Sequence, residues 1–293
     1  MINKFNTLRV GMLVISALIF LLFLLPSTYG ELKNRNESLG AIRVPILLYH
    51  RFGPLASDSM TVTTDTFSSE LKYLSDNGYK VIPLGELVDY YLGRRKSLLP
   101  RSVVITVDDG HKSVYTDMLP LVKKYQIPVT LFIYPSAISN ASYAMTWSQL
   151  KEIKETGLFD FQSHTYWHPN FNKDKARLGP AEYESSVIMQ LKKSKERLEK
   201  ELNVRVNMLA WPFGIYDDDL VRKAKEAGYV ATFTMERHPA SQDDNVMILP
   251  RFLITKGETG KAFATILADA TRGQTPAATN LHRGEYRASS GAF

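Results

Sequence analysis

From Val44 onward, short apolar runs alternate with longer segments that carry polar residues at helical spacing. "VPILLYH" reads as a buried strand, and "DTFSSELKYLSDNGYKVIPL" as a helix stopped at Gly78 followed by a brief strand. "SVVITVDD" is a second clear strand, rich in β-branched residues. "SVYTDMLPLVKKYQIP" predicts a helix interrupted at Pro120, and "VTLFIY" the strand after it. A helix over Trp147–Thr156 leads to strand "LFDFQSH", and a long surface helix over Ala181–Leu202 leads to strand "NMLAWP". "DDDLVRKAKEAGY" opens with an aspartate suited to a helix start, and "VATFTM" closes the series. This β-then-α rhythm predicts an α/β fold with a parallel sheet, open or closed as a barrel, and helices outside. No repeat or internal linker breaks it, so one domain is expected over 44–272.

The two ends differ from this body. Lys4 and Arg9 precede an uncharged apolar run from Val10 to Leu25, closed by Pro26. A basic flank before about 16 apolar residues is the layout of a secretory signal, and the run falls slightly short of the roughly 20 residues of a usual membrane span. Residues 1–30 therefore read as either a cleaved signal peptide or an uncleaved signal anchor. Both place the body outside the cytoplasm. Residues 31–43 read as a polar tether. The polar, small-residue-rich stretch 273–293 predicts a disordered tail.

Composition narrows the chemistry. With 36 basic and 30 acidic residues the net charge is +6, spread along the chain without the basic runs of a nucleic-acid binder. The absence of cysteine excludes disulfides, thiolate catalysis and thiolate zinc sites, so any metal must be held by His, Asp or Glu.

In parallel α/β folds, functional groups gather where strands end. His50 closes the first strand, Asp108 and Asp109 close "VVITVDD", and His164 closes "FDFQSH". His168 follows four residues later, a spacing that puts both rings on one side if the turn is helical. Two adjacent carboxylates entering an apolar run repel each other unless a cation relieves them. One carboxylate with two histidines makes a plausible divalent-metal site. Successive strand residues face opposite ways, so Asp108 and Asp109 can serve different partners. His111, His238 and His282 read as surface residues.

"TVDDG", "HTYWH" and "WPFG" resemble the successive motifs of the polysaccharide deacetylases, the NodB-homology domain of carbohydrate esterase family four. "VPILLYHRF" and "ILPRFLI" resemble more closely the branch that deacetylates poly-β-1,6-N-acetylglucosamine of biofilm exopolysaccharide. The resemblance implies a single distorted (β/α) barrel, circularly permuted with its last strand moved to the front. It also implies a metal-dependent hydrolase of linear amide bonds, using Zn²⁺ with Co²⁺ or Ni²⁺ as alternatives. In that pattern Asp108 is the general base, and Asp109, His164 and His168 are the metal ligands. The family's Leu-x-His acid is missing after Phe252, but Leu48-Tyr49-His50 supplies one at the front, so His50 takes that role. The arginine that usually precedes the third motif is Ala210 here, and Arg251 is expected to fill its place. Val107 replaces the usual Phe before Asp108. Tyr134, Trp211, Pro212 and Phe213 are expected to support the substrate, with Trp211, Tyr166 and Trp167 offering stacking faces and a backbone N–H near Tyr134 facing the oxyanion. The implied partner is an N-acetylglucosamine polymer, together with other exopolysaccharide synthesis or export proteins and the membrane if the N-terminus is retained. Two rivals stay open: a deacetylase of β-1,4-linked peptidoglycan or chitin-like glycans, and a non-catalytic polysaccharide-binding module.

Overall fold

A computed structural model of the chain describes residues 42–270. The expected N-terminal signal or anchor, nearly all of the expected tether and the expected tail lie outside them. Among the described residues no helix is long and apolar enough to cross a membrane.

Ten strands follow in chain order: β1 (Ile46–Tyr49), β2 (Arg51–Gly53), β3 (Thr61–Thr63), β4 (Lys80–Val81), β5 (Ser102–Asp108), β6 (Val129–Ile133), β7 (Phe159–Ser163), β8 (Met208–Ala210), β9 (Ala231–Phe233) and β10 (Phe252–Leu253). The main sheet runs β10-β1-β5-β6-β7-β8-β9, with β4 also on β5 and every pair parallel. β2 and β3 form a separate parallel pair. At the far end Leu249 bridges Phe233 of β9, and three residues later Phe252 pairs with Leu47 of β1. One segment thus touches both ends of the curled sheet, in keeping with a distorted (β/α) barrel.

The helices are α1 (Thr64–Asp76), α2 (Leu84–Tyr91), α3 (Leu119–Tyr125), α4 (Trp147–Glu155), α5 (Phe171–Arg177), α6 (Pro180–Leu202), α7 (Asp218–Glu226) and α8 (Lys261–Ala270). The described residues belong to one compact unit. Pro120 does not interrupt its helix. It sits in the first turn of α3, after a π-helical turn over Val114–Met118, where its missing N–H is tolerated. α4 begins with a reciprocal Thr146–Gln149 capping box, and the Asp217 side chain accepts from Leu220 N–H at the start of α7.

Strand alternation sorts the core into two faces. Val103, Ile105 and Val107 join Leu131, Phe161 and Leu209 in the cluster under the outer helices. Val104, Phe132, Met208, Ala210 and Phe233 form a second cluster on the inner face. The period of two therefore turns Thr106 and Asp108 inward with Val104. Between β7 and β8 the ladder shrinks to one pair, Ser163 with Leu209. The buried Gln162 side chain covers the gap: its Oε1 accepts from Asn207 and Met208 N–H, and its Nε2 donates to Asp160 and Arg205 O.

Candidate active site

At the carboxyl edge of the sheet lies a cleft of ≈ 560 Å³. It is lined by His50, Asp108, Asp109, Tyr134, His164, His168 and Phe213, which the sequence had singled out, and by Arg51, Met60, His111, Tyr143 and Met235, which it had not.

Asp108 ends β5 facing inward and is buried. Arg251, wholly buried, forks onto it with Nη1 to Oδ1 and Nη2 to Oδ2, both at 2.8 Å. The guanidinium is itself held by Nε donating to Thr234 O at 3.0 Å, and it lies over the Phe132 ring. Burial alone would push the Asp108 carboxyl up. The charge of Arg251, helped by His164, outweighs it and holds the group down at about 2.

Asp109 turns away from its neighbour because it has left the strand: its φ is 76°, followed by Gly110 at 76°. At that left-handed φ a side chain would be strained, and an added Cβ would also press on Ile138 Cδ1 at 3.2 Å, which favours glycine. Asp109 Oδ1 lies 3.6 Å from both His164 Nε2 and His168 Nε2. One ligand atom from each of the three residues falls within 4.8 Å of the others. The two histidines do not meet through a helical turn. Thr165 and His168 both adopt left-handed φ, 65° and 59°, and the loop itself folds the second ring back.

The donor set suits a divalent ion. His164 Nδ1 lies 2.8 Å from the Ala210 carbonyl, which can only accept, so Nδ1 carries the proton and Nε2 presents a lone pair. Burial pushes the His164 ring down to about 3 and lowers His168 as well, so both rings are neutral, the form that ligates. Burial, with Asp108 alongside, pushes the Asp109 carboxyl up. A bound cation would hold it ionised. His50 stands at the end of β1 with its Nδ1 buried and without a hydrogen-bond partner among the described residues.

Two expectations need correction. Trp211 offers no stacking face. With Leu209 it points to the outer, helix-covered side of β8, fully buried, and its Nε1 donates to Thr232 Oγ1 at 2.9 Å. Strand alternation from Ala210 already implied this. His111 is not a surface residue, because the turn at Gly110 keeps it at the strand edge. Its Nδ1 accepts from Ser113 N–H and meets Ser113 Oγ at 2.8 Å, while that oxygen accepts from Phe52 N–H. The serine proton therefore goes to Nδ1, and the His111 proton sits on Nε2. The His111 ring lies nearly parallel to that of Tyr143, whose hydroxyl bonds Tyr134 at 2.5 Å. At the opposite wall Phe213 is 56% exposed, has a left-handed φ of 57°, and meets the His168 ring edge-on at 4.6 Å. Pro212 is buried beneath it. Trp167 is exposed beside His168, whereas Lys193 lies over the Tyr166 ring at 4.3 Å.

Comparisons with known proteins identify the family. The polysaccharide deacetylase family profile matches residues 95–232. Poly-beta-1,6-N-acetyl-D-glucosamine N-deacetylase of Staphylococcus aureus is 31% identical over 201 residues, covering 67% of this chain and 68% of its own. Among solved structures, the Streptococcus pyogenes deacetylase PplD in complex with acetate superposes with a TM-score of 0.69 at 25% identity, over 78% of this chain and 99% of its own. IcaB from Ammonifex degensii gives 0.67 at 25% identity, over 79% and 98%. Sequence similarity over two thirds of both chains and the matching family profile agree, and the chain belongs to the polysaccharide deacetylases.

Proposed function

We propose that the protein removes acetyl groups from an extracytoplasmic N-acetylglucosamine polymer, with poly-β-1,6-N-acetylglucosamine as substrate. The observation that carries this reading is the pairing of an arginine-held Asp108 with the Asp109–His164–His168 cluster in one cleft. The similarity to the Staphylococcus aureus enzyme supports the β-1,6 linkage.

Asp109, His164 and His168 would hold a divalent ion, with Zn²⁺ the first candidate and Co²⁺ or Ni²⁺ the alternatives. When bound, such an ion supplies Lewis-acid polarisation of the amide carbonyl and acidifies the attacking water. Asp108, kept ionised and aimed by Arg251, accepts the proton of that water as its oxygen adds to the acetyl carbon. His50 delivers a proton to the sugar nitrogen as the C–N bond breaks, because an amine anion is too basic to leave. The products are acetate and a free amine on the polymer. A backbone N–H near Tyr134 is proposed to face the developing oxyanion. Phe213, Tyr143 and His111 wall the cleft and orient the sugar. The first strand, lying between β10 and β5, supplies the acid from the front of the chain, as a permuted barrel would require.

The test is acetate release from β-1,6-linked N-acetylglucosamine oligomers by the purified protein, metal-stripped and then reloaded with Zn²⁺, Co²⁺ or Ni²⁺. Expected are loss on chelation, recovery on reloading, and a fall of at least about 10²-fold for Asp108→Asn. Turnover only on β-1,4 oligomers would move the substrate and keep the chemistry. Metal binding without release from either polymer would leave a binding module.

A further inference from the structure

The His-x-x-x-His spacing would bring the rings together automatically in a helix, but here the segment is an irregular loop with left-handed residues at 165 and 168. Whatever holds that loop in shape therefore sets the geometry of the three-ligand cluster. Its backbone donors are captured one by one. His164 N–H goes to Ile133 O, Thr165 N–H to Ser163 Oγ, and His168 N–H to Thr165 Oγ1. The remaining two, Tyr166 N–H and Trp167 N–H, both donate to a single acceptor, Gln190 Oε1, each at 3.0 Å. Gln190 is wholly buried in the middle of α6, more than twenty residues downstream. One turn on, Lys193 covers the Tyr166 ring, and wholly buried Ser194 meets Ser163 Oγ at 2.8 Å beneath Thr165. Residues 190, 193 and 194 occupy one face of the helix.

We propose that Gln190 is a positioning residue for the divalent-metal site, supported by Ser194: together they clamp the loop so that His164 and His168 present their Nε2 atoms to Asp109. The proposal rests on the reading of these three residues as the ligands. Neither Gln190 nor Ser194 touches the reacting atoms. The two residues act by fixing the path of the backbone between the histidines. Replacing Gln190 by leucine keeps the bulk but leaves two adjacent buried N–H groups without an acceptor. The loop can satisfy them only by turning toward water, which moves His168. Gln190 Nε2 has no hydrogen-bond partner among the described residues, so a glutamate kept neutral by its burial loses no donor contact and still accepts both N–H groups.

The experiment is Zn²⁺ titration of the full-length protein against a competing chromophoric chelator, with the Co²⁺ absorption spectrum as a report on ligand geometry. The variants are Gln190→Leu, Gln190→Glu, Ser194→Ala and His168→Ala, each with its metal-free melting temperature. Gln190→Leu is expected to weaken Zn²⁺ binding about 10- to 100-fold, the usual effect of losing a group that orients a ligand. Gln190→Glu is expected to stay within about 3-fold of the parent, and Ser194→Ala to lie between them. Should Gln190→Leu fail to fold, Ser194→Ala decides by itself: unchanged affinity and an unchanged Co²⁺ spectrum overturn the clamp. A lowered melting temperature with parental metal affinity in folded Gln190→Leu also overturns it, because that is the mark of a merely structural residue. So does a Glu variant with the parental metal-free melting temperature that binds as weakly as the Leu variant. If His168→Ala binds as tightly as the parent, or the parent binds no Zn²⁺, the ligand assignment itself fails and the clamp with it.

Discussion

Arg251 stands 143 positions from Asp108 in sequence, yet its planar fork makes both contacts with the carboxylate. Lysine could supply the charge but not the paired geometry. Arg251→Met is expected to cost on the order of 3–5 kcal/mol of stability, because a buried carboxylate loses its partner. Turnover should fall with it, and the acidic limb of the pH profile should move up. The sign follows from the depressed carboxyl: the stabilisation is present above the unfolded aspartate pKa and is lost as pH falls toward about 2. Arg251→Ala with unchanged turnover and pH profile would remove the residue from the mechanism. A second pair separates core from cleft. Trp211→Phe loses an indole bond to Thr232 and should cost about 1–2 kcal/mol with KM unchanged. Phe213→Ala should raise KM several-fold with little change in melting temperature, because the ring it removes is more than half exposed. Much of the site was readable at this scale. The strand-end carboxylates and histidines announce themselves through residue type and position. His111 did not, because nothing local says that the chain turns back at Gly110 rather than running on into solvent.

At the scale of elements, the strands with continuous apolar runs were legible, since burial on both faces demands such runs. β2, β3 and α2 were not. Their segments are short or mixed, and tertiary contacts decide them: Ser113 Oγ takes Phe52 N–H from β2, and Leu84, Leu87 and Val88 of α2 fill the inner core. The loop between the histidines, where a helical turn was one way to bring the rings together, was not legible for a related reason: its backbone N–H groups at 166 and 167 are held by Gln190 of α6 from outside. Where a local signal is complete, the expectation held, as at the start of α7. There Asp217 caps Leu220 N–H and also pairs with Lys175 at 2.7 Å. Asp217→Ala is expected to lower stability by about 1 kcal/mol, read as a lower denaturation midpoint, with kcat/KM for the oligomer unchanged.

For the molecule as a whole, one buried carboxyl sets a pH dependence independent of the cleft. Glu70 on α1 is buried beneath β1, accepts the Tyr49 hydroxyl at 2.9 Å, and has an Oε1 without a partner among the described residues. Burial pushes it up to about 8, opposed by the Tyr49 bond and reinforced by Glu258. The folded state keeps this proton where the unfolded chain releases it. Its contribution to stability is therefore fully present below about 4.5 and declines as pH rises to about 8. Glu70→Gln should match the parent near pH 4 and exceed it at pH 8 by on the order of 1–4 kcal/mol in denaturant titrations.

The parallel pairing of β1 with β10 also governs when the protein becomes competent during synthesis. A ribosome releases β1 early, but its neighbour on one side, together with the guanidinium for Asp108, emerges only near the end of the described chain. Until then the first strand presents an unpaired edge, and the Asp108 carboxylate has no counter-charge. Contacts this distant in sequence close late and slowly. A nascent or prematurely terminated polypeptide ending before Arg251 should therefore be silent toward polysaccharide and prone to associate through that open edge.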